Sequence, residues 1–282
     1  MTAFVVIVAV NMASGEHKIS KRVSSPFGVA DPQFARSMTT LFGPPLVAGN
    51  HVTSLYNGHQ IFDAMLEDIR GAQQSVTFET YIYWSGSVGQ RFTEALIERA
   101  RSGVKVHLII DAVGSGKADA TQLRAMRAAG AEVEKYQPIH WYSLKRINNR
   151  THRKLLIVDE RIGFTGGVGI ADKWDGDAEA PEHWRDTHFR VVRPVVAQMH
   201  CKVMVVDDLW VSVGSTNFDN RSFRLNAEAN LNAVDPTLAR HEREAFESDR
   251  LRSRRIALEA WRHRPQLDRI GDWFAGLLDS QL

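Results

Sequence analysis

The pattern His-x-Lys-x-x-x-x-Asp occurs twice in the sequence, with the two histidines 48 positions apart. A pair of histidines allows one imidazole to attack a phosphodiester while the other protonates the leaving alcohol. A lysine beside each histidine would neutralise the non-bridging phosphate oxygens. The spacing therefore predicts covalent phosphoryl transfer through a phosphohistidine, with no metal and no cofactor. The residues of the two copies are His152, Lys154 and Asp159 in the first and His200, Lys202 and Asp207 in the second.

An apolar run lies between the lysine and the aspartate of each copy, at Leu155–Val158 and Val203–Val206. Such a run bounded by polar residues predicts a buried strand, which we interpret as a parallel strand with neighbours on both edges. Because side chains alternate along a strand, the histidine and the lysine should share one face. After six intervening residues beyond each aspartate, small residues predict a turn, Gly166-Gly167 in the first copy and residues 214–217 (GSTN) in the second.

The elements that must position the first copy are predicted from hydrophobic spacing and from glycines that end periodic runs. Alternation predicts strands, whereas apolar residues three and four apart predict helices. Together they form an α/β lobe over residues 51–199, preceded by an irregular lead-in at 1–50. The predicted strands are 75–84, 104–111, 133–136 and 188–192, and the predicted helices are 61–71, 90–102 and 118–129.

Several longer segments carry a family resemblance. They are ETYIYW, NNRTHRKLLIVD, GFTGGVGIADKW, HWRDTHFRV and HCKVMVVDDLWVSVGSTNFDNRSFRLNAEANLN. With them the chain resembles the phospholipase D superfamily and, within it, the bacterial cardiolipin synthases. The resemblance implies a layered α/β enzyme of two lobes, each giving one motif to a shared site. It also implies that a phosphatidyl group is held on a histidine and then passed to a glycerol hydroxyl.

The resemblance implies a role for each site residue. His152 would be the nucleophile and His200 the general acid and then base, although symmetry allows the reverse order. The carboxylates of Asp186 and Glu228 would orient His152 and His200, respectively. Asp159 and Asp207 end their strands, where they either brace a turn or act in the reaction. Further hydrogen bonds to the phosphate would come from Asn217 and Ser215.

The short distance between the copies departs from the family pattern. In the resembled enzymes about one lobe of layers, on the order of a hundred residues, would separate the two motifs. We therefore expect an internal deletion that joins Met199 to His200 and leaves a truncated second lobe at 200–282. Its motif strand would pair either with the sheet of the first lobe or with another chain, because an unpaired apolar edge favours aggregation. A homodimer remains open on this ground.

Composition limits the classes of partner. The 282 residues carry a formal charge of only +2, which does not favour a nucleic-acid partner. Residues 2–10 are apolar but shorter than the ~20 residues of a spanning helix, so they are either the stub of a membrane anchor or a buried strand. The basic tail from Arg250 either rests on an anionic membrane surface or packs on the body of the protein. The family resemblance implies a peripheral or weakly anchored location at the bacterial cytoplasmic membrane.

These observations lead to one hypothesis and two alternatives. The hypothesis is a cardiolipin synthase-like phosphatidyltransferase or phospholipase D that acts on phosphatidylglycerol. One alternative is a nuclease or other phosphodiesterase that uses the same site. The other is an inactive remnant that lacks much of its second lobe.

Overall fold

A computed structural model describes residues 49–138, 150–192, 203–214 and 230–252, together with residues 27–31, 33, 34, 36 and 37. The chain divides into two compact units, residues 25–240 and a second unit of residues 1–24 with 241–282. Of the second unit, only the helical residues 241–252 fall in the described part. All strands described below belong to the first unit.

A seven-stranded mixed sheet forms the centre of the first unit. Its strand order is β1-β7-β6-β5-β2-β3-β4, in which β2, β3 and β4 run parallel and the other pairs are antiparallel. The fold is thus mixed α/β, as the sequence predicts. The strands are β1 His51–Tyr56, β2 Ser75–Thr80, β3 Lys105–Asp111, β4 Glu132–Tyr136, β5 Leu155–Val158, β6 Ile162–Gly166 and β7 Thr187–Val192.

Three helices connect β1 to β2, β2 to β3 and β3 to β4. They are α1 Asn57–Gly71, α2 Ser87–Arg101 and α3 Ala120–Ala128. In α1 the apolar residues recur at helical spacing, and Ile61, Phe62 and Ile69 are fully buried. Burial of each such side chain contributes about 1.5–3 kcal/mol. The ring of Phe62 meets that of Phe92 from α2 edge to face, with centroids 5.7 Å apart, so the two helices share one core with the sheet.

The prediction of a strand over 75–84 is right only for its first part, because β2 ends at Thr80. Beyond it, Tyr83 forms a β-bridge with Ile170 instead of continuing beside β3. Tyr83 is fully buried, and the hydroxyl of Ser115 holds its backbone N–H at 3.0 Å. This departure turns residues 81–84 across the end of the sheet, where the candidate site lies.

A second, three-stranded antiparallel sheet contains β8 Val203–Val206, β9 Trp210–Gly214 and β10 Asn230–Val234, in the order β10-β9-β8. The helix α4, Pro236–Arg252, follows β10. Val211 and Val213 of β9 form a buried cluster with Phe189 of β7 and with the start of α4. Hence the second motif strand pairs with β9 in a separate sheet and not with a strand of the seven-stranded sheet.

Candidate active site

Both motif strands form the first arm of an antiparallel hairpin, and the two hairpins have the same register. In the first, Leu155 pairs with Thr165 and Val158 with Ile162. In the second, Val203 pairs with Val213 and Val206 with Trp210, so every pair is displaced by the same 48 residues that separate the histidines. The sequence repeat is therefore also a structural repeat.

The turn is the same in both hairpins. Asp159 and Glu160 have φ of 51° and 54°, and Asp207 and Asp208 have φ of 53° and 50°. A backbone hydrogen bond closes each turn, from Arg161 N–H to the carbonyl of Val158 in the first, at 3.0 Å. Positive φ at both central positions is the mark of type I′ turns, which match the twist of a hairpin. The expectation of parallel motif strands was wrong, because these turns return the chain antiparallel to itself.

The carboxylate of Asp159 has a structural contact. Its two oxygens accept hydrogen bonds from the backbone N–H groups of Gln73, Gln74 and Ser75 at 2.8, 2.7 and 2.9 Å. Burial alone would raise the pKa of this carboxyl, but the three N–H donors outweigh it and the pKa lies below its ordinary value. These contacts tie the hairpin turn to the segment between α1 and β2. They favour the bracing role for Asp159 over a role in the reaction.

His152 and Lys154 lie just before β5 and not within it, which corrects their predicted place on the strand. The Lys154 ammonium donates to the backbone carbonyl of His152 at 2.9 Å. Tyr81 lies beside both residues, since its ring is 5.2 Å from the imidazole of His152 and 5.8 Å from the Lys154 nitrogen. The structure thus brings the histidine and the lysine of the first copy together at the end of the sheet.

A buried and a partly buried carboxylate from adjacent parallel strands hold the residue before His152. The Thr151 backbone N–H donates to Asp111 at the end of β3 at 3.1 Å, and the Thr151 hydroxyl donates to Glu79 of β2. Each carboxylate also forms an ion pair. The Arg150 guanidinium lies 3.4 Å from the Asp111 carboxylate, and the Arg153 guanidinium lies 3.5 Å from that of Glu79. Sequence reasoning missed this arrangement, because nothing local indicates that residues 79, 111 and 151 meet.

Asp186, predicted to orient His152, lies at the entry to β7. Its carboxylate accepts hydrogen bonds from the Trp174 indole at 3.2 Å and from the Thr187 backbone N–H at 2.8 Å. It also lies directly over Gly167, where a Cβ would fall 2.2 Å from the carboxylate. The glycine is therefore required by the carboxylate above it. The pairing of Asp186 with His152 stays a prediction.

A second glycine contact lies one residue earlier. Gly166 pairs with His188 of β7, and a Cβ on Gly166 would fall 1.8 Å from the imidazole Nδ1. His188 is fully buried, and its Nδ1 has no hydrogen-bond partner among the described residues. Burial and the nearby charge of Lys154 lower the pKa of His188 to about 3, so the ring is neutral. The sequence offers only a histidine at the start of a predicted strand.

Five of the predicted residues, His200, Lys202, Ser215, Asn217 and Glu228, lie outside the described part of the chain. Asp207 is described, and its side chain is exposed at the turn between β8 and β9. Gly214 pairs with Asn230 as Gly166 pairs with His188. Glu228 therefore stands two residues before its paired position, just as Asp186 does in the first copy.

Within the part of the chain that the structure describes, no group of three or more histidine, cysteine or acidic side chains could hold a metal ion. No helix among the same residues has the length and apolarity that crossing a membrane requires.

Comparison with known protein families identifies the class to which this protein belongs. The family model described as "Cardiolipin synthase, PLD-like domain" matches residues 65–180 and again residues 173–250, so most of the chain is covered by two successive matches. The chain belongs to this phospholipase D-like family. Each match contains one of the two hairpins.

The chain is also similar to individual proteins. It is 35% identical to cardiolipin synthase A of Pseudomonas fluorescens over 163 residues, 57% of this chain and 34% of that protein. It is 33% identical to cardiolipin synthase 1 of Bacillus anthracis over 178 residues, 62% of this chain and 35% of that protein. The chain thus spans about a third of the length of the curated relatives it matches. The phospholipase D family member Nuc of Salmonella typhimurium gives a TM-score of 0.39 at 16% identity, covering 52% of this chain and 85% of that one.

Proposed function

We propose that the protein is a phospholipase D-type phosphatidyltransferase that makes cardiolipin from phosphatidylglycerol. The observation that carries the proposal is the repeated hairpin, because the strand that follows the histidine and lysine of each motif copy in the sequence has the same turn and register. The names of the relatives support the substrate class.

In the first step, the His152 imidazole attacks the phosphorus of phosphatidylglycerol. The bond from phosphorus to the headgroup glycerol breaks, and His200 gives that glycerol a proton. In the second step, a headgroup hydroxyl of another phosphatidylglycerol loses its proton to His200 and attacks the phosphatidyl-histidine. Cardiolipin leaves, and His152 is free again. Each displacement trades one phosphorus bond for another, so no oxidant or other co-reactant is needed.

The positive charge of Lys154 stands beside this reaction. A displacement at a phosphodiester places additional negative charge on the non-bridging oxygens, and an ammonium held near them stabilises that charge. The 2.9 Å contact between the Lys154 ammonium and the His152 carbonyl fixes the cation beside the nucleophile. Lys202 would do the same for the second copy, with Ser215 and Asn217 as further donors to the phosphate.

The carboxylates divide into two groups in this proposal. Asp186 and Glu228 orient the imidazoles of His152 and His200, which sets the nitrogen that faces phosphorus. The equivalent positions of Asp186 and Glu228 relative to the paired strands support this assignment. Asp159 acts through the fold, and Asp207 is assigned the same turn position without a contact of its own in the described residues.

The arrangement of the chain belongs to the same proposal. We place a deletion between Met199 and His200, lobes at 51–199 and 200–282, and the protein at the surface of the bacterial cytoplasmic membrane. The site forms either within one chain or between two chains of a homodimer. Two measurements distinguish these arrangements. Analytical ultracentrifugation gives the oligomeric state of the active species. Activity is then measured after mixing two variants, each with one of the two catalytic histidines mutated. Recovery of activity on mixing requires a shared site.

The proposal is tested by incubating the purified chain with headgroup- and phosphorus-labelled phosphatidylglycerol vesicles in the presence of a chelator. We expect labelled cardiolipin, released glycerol and an acid-labile phosphoenzyme. His152→Asn should abolish all three, whereas His183→Asn, a change at an exposed histidine away from the motifs, should leave them unchanged. Absence of turnover and of phosphoenzyme in the unmutated chain would contradict the proposal and support the inactive remnant. Cleavage of DNA under the same conditions, without lipid turnover, would support the nuclease alternative.

A further inference from the structure

Gly166 and His188 form a row across β6 and β7, and Lys154 lies beside it, just before β5. Gly166 pairs with His188 in the β6–β7 ladder, so these two residues share a face of the sheet. In the β5–β6 ladder Leu155 pairs with Thr165, which precedes Gly166, and Lys154 is the residue directly before this last pair.

The glycine makes the row possible. A side chain on Gly166 would collide with the His188 ring, since its Cβ would lie 1.8 Å from Nδ1 and 2.3 Å from Cγ. The imidazole thus occupies the space above the β6 backbone that a side chain at Gly166 would fill. The two groups are close enough for the lysine charge to act on the histidine.

A histidine that served only for packing at position 188 would reduce the stability of the fold. The residue is 1% exposed, and its Nδ1 makes no hydrogen bond to any described residue. A buried polar atom without a partner is destabilising, and an apolar side chain of similar size would avoid that cost. Retention of a polar ring next to the ammonium therefore indicates a use for that polarity.

From this geometry we infer that His188 is a positioning residue for Lys154. Its neutral imidazole, seated over Gly166, holds the ammonium at the phosphate without adding a negative charge that would compete with the phosphate. A carboxylate in the same place would attract the ammonium away from its substrate. The role rests on the proposed function, because it assigns the Lys154 charge to the phosphate.

The second copy shows which side chain could substitute. Gly214 pairs with Asn230, so an asparagine stands where the first copy has His188. An amide is also neutral, polar and able to hydrogen-bond, which matches the inferred role. His188→Asn is therefore the conservative variant, and His188→Leu is the apolar control.

The two interpretations of His188 predict opposite rankings. Positioning predicts that His188→Asn keeps kcat within about threefold of the unmutated protein and that His188→Leu lowers kcat about tenfold or more with little change in KM, since the charge counts most in the transition state. Packing alone predicts that His188→Leu is the better-behaved variant. Circular dichroism and thermal unfolding establish that both variants fold.

Affinity for inorganic phosphate, measured by titration calorimetry, gives a readout that needs no turnover. We expect His188→Asn to match the unmutated protein and His188→Leu to bind about tenfold more weakly, the equivalent of one lost charge-assisted hydrogen bond. This separates the inference from the proposed function, which could fail while phosphate binding still follows the ranking. Equal phosphate affinity and equal kcat in His188→Leu would overturn the inference, as would an equal loss in both variants.

If His188→Leu does not fold, nuclear magnetic resonance of ¹⁵N-labelled imidazoles decides the question. His188→Asn identifies the His188 signals by their loss. In the positioning arrangement, Lys154→Met shifts both ring-nitrogen signals of His188, and phosphate shifts them in the unmutated protein. Signals that respond to neither change would overturn the inference.

Discussion

The contact between Asp159 and the 73–75 segment can be tested by one isosteric change. Asp159→Asn keeps the size of the side chain, and asparagine tolerates the positive φ of 51° at this position. It removes the charge and one acceptor oxygen, so an NH₂ group would face one of the three backbone N–H donors. The variant therefore isolates the hydrogen bonds from the turn conformation.

The size of the effect follows from the three contacts at 2.7–2.9 Å. A hydrogen bond to a charged group contributes about 1.5–3 kcal/mol when it is well shielded, and this carboxylate is partly accessible to water. One remaining oxygen can still accept from two of the donors. We therefore expect a loss of about 1–2 kcal/mol in the free energy of unfolding.

Asp207→Asn is the matched control, because Asp207 occupies the same turn position with a φ of 53° and an exposed side chain. We expect its effect to remain within about 0.5 kcal/mol. Urea unfolding followed by circular dichroism measures both variants, and thermal midpoints provide a second measure. Equal stability of the two variants would refute the bracing role, and so would a loss of catalysis in a fully stable Asp159→Asn protein.

The stability effect of Asp159→Asn should depend on pH. The pKa of Asp159 is lowered in the folded state, so its contribution is complete above the ordinary pKa and is lost as the pH falls through the lowered value. The stability difference between the unmutated protein and Asp159→Asn should therefore be constant from about pH 5 to 8 and should shrink below about pH 4.

Three further predictions concern the residues around His152. Gly167→Ala would place a Cβ 2.2 Å from the Asp186 carboxylate, so we expect a folded protein with kcat reduced about tenfold or more in the lipid assay, and unchanged kcat would contradict this. Thr151→Val removes the hydroxyl that donates to Glu79 inside the protein, which should cost about 1–2 kcal/mol in urea unfolding, whereas Thr151→Ser should retain most of the stability. Burial and Lys154 lower the pKa of His188 to about 3 in the folded state, so the unfolded chain takes up this proton at a higher pH than the folded protein does. The free energy of unfolding should therefore fall as the pH falls below about 6.5. His188→Asn should lose less stability over about pH 6.5–4, and equal losses would show that the folded ring is protonated as easily as the unfolded one.

Local patterns in the sequence predict much of this fold. The helix α1 and the strands β3 and β4 follow from apolar spacing and from glycines, and the observed limits differ from the predicted ones by a few residues at most at either end. The motif strands β5 and β8 are also where the apolar runs indicated. These features depend on neighbours in sequence, which is why a single sequence suffices.

The pairing of the motif strands could not be predicted in the same way. Asp159-Glu160 and Asp207-Asp208 form the hairpin turns, yet neither pair has the glycine that usually marks a type I′ turn. The clamp on Thr151, formed by its hydrogen bonds to Glu79 and Asp111, joins the segment before β5 to two strands far away in the chain. His188 acquires its meaning only once the β6–β7 register places it over Gly166. The contacts of Thr151 and of His188 depend on tertiary structure that no local pattern encodes, whereas the hairpin turns are local but lack the expected turn residue.

The shared register of the two hairpins separates backbone shape from reactivity. The turn and the strand pair of each hairpin lie within a dozen residues, so the two copies have the same backbone geometry in different surroundings. The clamp on Thr151, by contrast, is supplied by β2 and β3, which lie outside the duplicated segment. A hairpin moved to another protein would thus keep its backbone shape but lose the contacts that hold the residue before its histidine. Its new surroundings would determine whether that histidine reacts.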